Sequence, residues 1–210
     1  MPKSREDYPC RCKKSWHGCK RIVLTGGPGA GKTAVLEMTR RAFCPHVAIL
    51  PESAGIIFRG GFWRRSSRGA QKAAQRAIFY VQHELEQLVI DEKEAAIALC
   101  DRGSLDGLAY WPGSAASFFK NVHSSEEQEL SRYQMVIHLR TPTLLTGYDH
   151  SNPLRVEDVE QALRIDEKVE AVWRRHPRRF IVESSKDFFA KAKIAIDLIE
   201  QEVPPCCRLL

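Results

Sequence analysis

The stretch Gly26-Gly27-Pro28-Gly29-Ala30-Gly31-Lys32-Thr33 has residue types and spacing suited to chemistry. A glycine, four residues, then Gly-Lys-Ser/Thr is the pattern of a phosphate-binding loop. Glycines let the backbone wrap, so that its N–H groups point inward at phosphate oxygens. Lys32 then reaches the β- and γ-phosphates of a nucleotide, and the Thr33 hydroxyl binds Mg²⁺. A helix opening at this point adds its positive dipole end. Gly27, Gly29, Ala30, Gly31, Lys32, Thr33 and Ala34 are the candidate nucleotide-binding residues.

Two carboxylates at the ends of apolar runs complete the set. Asp101 closes AAIALCD and is placed to hold Mg²⁺ through water. Its competing reading is a helix N-cap, since a helix follows. Glu52 follows VAIL and a proline. A carboxylate there can accept the proton of an acceptor hydroxyl, or anchor that hydroxyl by a hydrogen bond. The competing reading is a solvated loop glutamate. Asp106, in DRGSLDG, is a second acceptor-site carboxylate or a turn residue.

The neighbours of these residues exclude several classes. Many motor-type ATPases place a glutamate directly after the metal aspartate to activate water. Arg102 stands there instead. No LSGGQ-like segment marks a transporter ATPase. Reading guanine takes Asn/Thr-Lys-x-Asp, and Ser184-Ser185-Lys186-Asp187 does not fit it.

The elements that position these residues alternate. Strands are predicted over 21–26, 47–52, 95–101, 135–140 and 179–185, and helices over 31–43, 70–92, 154–175 and 187–202. The helix over 31–43 carries Ala34, Val35, Met38 and Ala42 at helical spacing. The long helix over 70–92 carries Ala74, Ile78, Val81, Leu85 and Leu88 as its apolar stripe. Residues 60–69 read as a loop and 141–153 as a polar loop. Five strand–helix alternations imply an α/β fold, a five-stranded parallel sheet with helices on both faces. Ligands bind such sheets at the carboxyl ends of the strands. Those ends carry the glycine loop, Glu52, Asp101-Arg102, Arg140-Thr141-Pro142 and the segment 183–187.

The chain has 210 residues, 43% hydrophobic and 28% charged, enough for one domain with a sizeable core. The expected division is a basic extension over 1–20, an ATP-binding domain over 21–203 and a tail over 204–210. No apolar run approaches the ~20 residues of a membrane span. The first twenty residues lack a signal-peptide core, so a cytoplasmic location is expected. The net charge of +6 favours anionic partners. Seven scattered cysteines do not form a disulfide framework. Cys44 and Cys100 are expected to be buried thiols. Cys10, Cys12, His17 and Cys19 fall within ten residues and could hold zinc, although a basic arm without metal is the competing reading.

The glycine loop, PESAG, the glutamine- and aromatic-containing helix, CDRGSLDGLAYWPG and RYQMVIHLRTP together resemble the ATP-binding AAA-domain proteins of kinase type. The likeness covers about residues 20–200. Among characterised groups it is similar to ribosylnicotinamide kinase domains and, more distantly, to deoxynucleoside and thymidylate kinases. It implies a P-loop NTPase fold with the kinase-like strand arrangement, and ATP with Mg²⁺ as cofactors. It implies catalytic roles for Lys32, Glu52, Asp101 and a lid arginine after the fourth strand, Arg155 first and Arg164 second. Their competing reading is an exposed helix charge.

The acceptor pocket is then expected near Glu52, Trp63 and Trp111, with Phe58, Phe62 and Tyr110. These aromatics stack on a flat ring or belong to the core. Arg64, Arg65 and Arg68 bind an anionic acceptor or form a solvated run. The segment 183–187 is where adenine packs in this fold. The expected activity is phosphoryl transfer from ATP to a small-molecule hydroxyl on a nucleoside-like acceptor. The rival is an ATP-dependent regulatory switch with a protein or nucleic-acid partner.

Overall fold

The computed structural model describes residues 17–143, 159–185 and 187–207. The candidates Arg155, Cys10 and Cys12, and most of the predicted loop over 141–153, lie outside the described residues.

Strand β1 (Lys20–Thr25) alternates its side chains between two apolar faces. Ile22 and Leu24 point to one layer, and Val23 points to the other. A strand buried on both sides needs a continuous apolar run, and RIVL supplies one. Helix α1 (Lys32–Ala42), β2 (Val47–Leu50) and α2 (Ser53–Arg59) follow. The long α3 (Arg68–Glu92) leads to β3 (Ile97–Asp101). Three short helices, α4 (Asp106–Ala109), α5 (Ala115–Val122) and α6 (Glu126–Ser131), precede β4 (Met135–Leu139). The chain closes with α7 (Val159–Val172), β5 (Arg179–Val182), α8 (Phe188–Glu202) and a 3-10 turn, Pro205–Cys207.

The five strands are parallel, in the order β2-β3-β1-β4-β5. Thr25 pairs with His138, Leu24 with Asp101 and Leu50 with Cys100, so the carboxyl ends lie together. β1, which carries the glycine loop, is the central strand, flanked by β3 and β4.

Two apolar layers cover the sheet. One joins Ile22, Leu24, Ile97, Leu99, Ile137 and Leu139 to Val35 and Leu36 of α1 and to Ala192, Ala195 and Ile199 of α8. The other joins Val23, Ala98, Cys100 and Val136 to Leu105, Val169 and Trp173. Each fully buried large side chain contributes about 1.5–3 kcal/mol. Cys44 and Cys100 are buried as expected.

The helix stripes match the apolar pattern in part: Val35 and Ala74 are buried, and Met38, Ala42 and Leu85 pack against the core. In α1 the buried residues are Val35, Leu36 and Thr39, while Ala34 is exposed. In α3 they are Ala74, Phe79, Gln82 and Glu86, and Leu88 is 55% exposed. The physical reason is a buried polar network. Glu86 accepts hydrogen bonds from Gln82 Nε2 (2.9 Å), Arg132 (2.6 Å) and the Tyr133 hydroxyl (2.6 Å). Those partners allow α3 to face the sheet through polar residues. Among the described residues, no helix is long and apolar enough to cross a membrane.

Candidate active site

The phosphate loop sits where β1 turns into α1. Gly31 caps α1 at φ 94°, in the left-handed region that glycine adopts without a Cβ penalty. At Gly26 a Cβ would lie 2.1 Å from the Leu139 carbonyl oxygen, so no other residue fits beside β4. Lys32 Nζ donates to the carbonyls of Gly26 and Gly27, both at 3.0 Å. Burial first, then the neighbouring Arg102, push Lys32 down to about 8, against Asp101, Glu52 and Asp106.

The loop is braced from outside by two residues that the sequence motifs did not reveal. Gly27 N–H donates to Asp166 Oδ1 of α7 at 2.7 Å. His138 Nε2 lies 3.1 Å from the same oxygen, and Thr141 Oγ1 donates to it at 3.2 Å. Burial works to raise the Asp166 carboxyl, but His138, Gly27 and Thr141 hold it below its ordinary value. Lys191 of α8 donates to the carbonyls of Ala30 (2.9 Å) and Arg140 (2.6 Å). Burial lowers Lys191 to about 8, against Asp166 and Glu183.

Glu52, Asp101, Arg102 and Asp106 converge beside the loop. Arg102 takes the left-handed region at φ 73°, uncommon outside glycine and a mark of constrained sites. Its Nε donates to Glu52 Oε1 at 2.7 Å, and its Nη1 reaches both the Gly26 carbonyl (3.2 Å) and Asp106 Oδ2 (3.4 Å). Burial works to raise Glu52, yet the charge and hydrogen bond of Arg102, with Lys32 and Arg59 behind, hold it below its ordinary value. Asp106 is buried and accepts from Thr25 Oγ1 and Trp173 Nε1, both at 2.6 Å. It is not a solvated turn residue but a fixed support for Arg102.

Asp101 is the exception in this network. Burial raises its carboxyl, opposed by Lys32 and reinforced by Glu52. Its Oδ1 is buried and accepts no hydrogen bond among the described residues. A buried carboxylate oxygen left open, in the same cavity lining as the Thr33 hydroxyl at the start of α1, is the kind of oxygen donor a Mg²⁺ ion takes. The residues fit that ion on this ground.

One cavity of about 700 Å³ holds these groups. Its lining joins the phosphate loop and Thr33, the polar groups of Glu52, Asp101, Arg102 and Asp106, and the side chains of Phe58, Trp63, Arg64, Arg65, Gln82 and Tyr110. Its volume lies in the range of small-molecule sites, ~300–1,000 Å³. Arg65 lies over the Trp63 ring at 4.3 Å and Arg64 over Phe58 at 4.8 Å. Arg68 instead donates to the Pro112 carbonyl at 3.2 Å.

Some expected residues fall elsewhere. Trp111 does not line the cavity. It is buried edge-on against Phe118, at 5.4 Å, in a small cluster with Phe79 and Val122. Phe62 does not line it either. Arg164 is exposed and pairs with Glu160 at 2.7 Å, one helical turn away. Conversely, sequence reasoning treated Arg102 only as a missing glutamate and passed over Gln82. The signal for Gln82 was a pair of polar residues, Gln82 and Glu86, one turn apart on a face that must be buried.

Comparison with known proteins bears on the fold and the family. A structure titled as NadR protein in complex with NR superposes with a TM-score of 0.66 at 14% identity. The match covers 89% of this chain and 52% of the other, so this chain spans about half the length of that protein. Thymidylate kinase from Candida albicans superposes with a TM-score of 0.57 at 14% identity, covering 90% of this chain and 96% of the other. At that identity the likeness shows the fold alone, the five-stranded parallel α/β arrangement expected from the alternating strands and helices. No curated protein matches by sequence. The family model described as AAA domain matches residues 21–191, so the chain belongs to that AAA-domain family.

Proposed function

We propose that the protein transfers the γ-phosphoryl group of ATP to a hydroxyl of a small, nucleoside-like acceptor. The supporting observation is that the phosphate loop and the aromatic side chains of Phe58, Trp63 and Tyr110 line one cavity, together with Glu52 and Arg102 paired at 2.7 Å. Aromatic rings in that lining suit a flat, ring-bearing acceptor.

On this reading the loop N–H groups and Lys32 hold the β- and γ-phosphates. Thr33 and Asp101 would hold Mg²⁺, which when bound offsets negative charge on the phosphates. The acceptor oxygen attacks phosphorus, a new O–P bond forms, and the bond to the β-phosphate oxygen breaks to leave ADP. The acceptor proton goes to the Glu52 carboxylate or, if Glu52 only anchors the hydroxyl, to solvent. Arg102, held by Glu52 and Asp106, places a fixed positive charge where negative charge develops. Transfer of this kind depends mainly on positioning and charge neutralisation.

The test is mass spectrometry of a nucleoside and metabolite panel incubated with protein, ATP and Mg²⁺, with Glu52→Gln alongside. A phosphorylated product made by the unmutated chain and lost in Glu52→Gln supports the reading. ADP without any phosphorylated metabolite would sink it and favour the regulatory switch.

A further inference from the structure

A second constellation lies at the opposite end of the sheet. His46 immediately precedes β2, and its carbonyl accepts from the amides of Ala96 (2.8 Å) and Ile97 (3.0 Å) at the start of β3. Cys44, His17 and Cys207 gather round its ring. Cys207 Sγ is 3.5 Å from His46 Nδ1 and 3.6 Å from His17 Nε2. Cys44 Sγ is 3.4 Å from the same His46 nitrogen. The donor atoms of His17, His46 and Cys207 all lie within 4.8 Å of one another. Both sulfurs belong to buried residues, 1% exposed, while the imidazoles are half-buried.

We infer that His17, His46 and Cys207 are three donors of a structural site for a zinc-class divalent cation. Two observations carry this. The first is distance. Zinc bonded tetrahedrally to sulfur at ~2.3 Å and nitrogen at ~2.0–2.1 Å holds those atoms about 3.5 Å apart. The two sulfur–nitrogen separations in this set are 3.5 and 3.6 Å.

The second is topology. The donors come from the segment entering β1, the α1–β2 turn and the turn after α8, which are far apart in sequence. A cation there would tie both ends of the domain to its sheet. One sulfur and two imidazoles are a donor set that selects zinc over magnesium or calcium.

This set differs from the one that spacing alone suggested. His17 is shared, but its partners are Cys207 and His46. Cys19 Sγ instead meets the Lys20 carbonyl at 4.0 Å. The site lies away from Lys32 and Asp101, so its role is stability rather than phosphoryl transfer. Binding displaces thiol protons, so affinity rises with pH.

The test uses the full chain, reduced and stripped with a chelator, then titrated with Zn²⁺ against a chromophoric competitor. One equivalent is expected to bind and to raise the melting temperature. Cys207→Ser and His46→Asn are expected to weaken binding by roughly a hundredfold or more, and Cys19→Ser to leave it unchanged. Co²⁺ in the unmutated chain is expected to give the thiolate charge-transfer and tetrahedral d–d bands, a readout that needs no variant to fold. The inference is overturned if the unmutated chain gives no such bands and binds no Zn²⁺. It is overturned equally if Cys207→Ser binds as the unmutated chain does, if only Cys19→Ser loses the metal, or if Cys44 and Cys207 form a disulfide under metal-loading conditions.

Discussion

ATP binding should draw protons from solvent, and Lys32 should be their destination. Burial and Arg102 hold Lys32 at about 8, down from 10.5. A bound polyphosphate reverses both causes, because it places anions against the ammonium. If binding restores the ordinary value, Lys32 goes from half to fully protonated at pH 8. The uptake is then about 0.5 proton per nucleotide at pH 8 and about 0.9 at pH 9. The sign follows, since the complex holds more protons than the free chain and affinity must fall as pH rises. The fall is about twofold by pH 8 and tenfold by pH 9, relative to neutral pH.

The assay is isothermal titration calorimetry of a non-hydrolysable ATP analogue in buffers of different ionisation enthalpy. The slope of heat against that enthalpy gives the proton count. The terminal phosphate ionises near pH 6 and is silent at pH 8–9. Lys32→Arg is the control, because arginine stays charged throughout this range. Lys191 is also lowered to about 8, but its ammonium faces the Ala30 and Arg140 carbonyls rather than the cavity. Uptake that persists in Lys32→Arg would therefore move the effect to Lys191. Absence of uptake in the unmutated chain would refute the electrostatic account of the loop.

The remaining predictions concern the groups around that loop. Glu52→Gln should lower turnover by about 10²–10⁴ if Glu52 is the base, while ATP affinity changes little; unchanged turnover removes it from the chemistry. Glu86→Ala should cost about 3 kcal/mol in urea unfolding, because it strips Arg132 and Tyr133 of their shared partner. Gly26→Ala should cost at least about 2 kcal/mol, since the added Cβ meets the backbone of β4 rather than a movable side chain. Asp166, held below its ordinary value, contributes stability above the unfolded carboxylate pKa that is lost as pH falls through the folded one. The difference in melting temperature between the unmutated chain and Asp166→Asn should therefore be full near pH 6 and shrink below about pH 4.

What was legible in the sequence is what local pattern controls. The glycine loop is read from residue type and spacing, and a strand buried on both faces is read from an apolar run. Both survive in the structure, with Gly26–Thr33, Glu52 and Asp101 at one end of the sheet. The short α2 over Ser53–Arg59 gave no periodic signal in seven residues and was not expected. The α3 stripe was legible only in part: Ala74 is buried and Leu85 packs on the core, but Leu88 is exposed, and Gln82 and Glu86 are buried by virtue of partners up to 47 residues away. Asp166 and Lys191 brace the loop from 139 and 161 residues along the chain, a separation that no local pattern encodes. Asp106 was ambiguous for the same reason, since Thr25 and Trp173 decide its role.

Arg102 explains why Glu52 can be essential without being a strong base. Its guanidinium lowers the Glu52 carboxyl, and a weaker base accepts a proton less readily. Phosphoryl transfer through a loose transition state develops little positive charge on the attacking hydroxyl before the phosphorus is reached. Orientation of that hydroxyl then matters more than proton removal, and a carboxylate fixed by an arginine orients well. The pH profile separates the two roles. An anchor keeps activity flat down to the depressed Glu52 pKa, below the ordinary carboxylate range. A base operating near neutral pH would instead impose an acid limb there. Glu52→Gln adds the second discriminant, because an amide can still accept a hydrogen bond but cannot take the proton. A loss of only a few-fold in that variant, with a flat profile through pH 6, identifies an anchor. A loss approaching the full ~10⁴ with an acid limb near neutrality identifies a base, and would require that the acceptor displace Arg102 from Glu52 on binding.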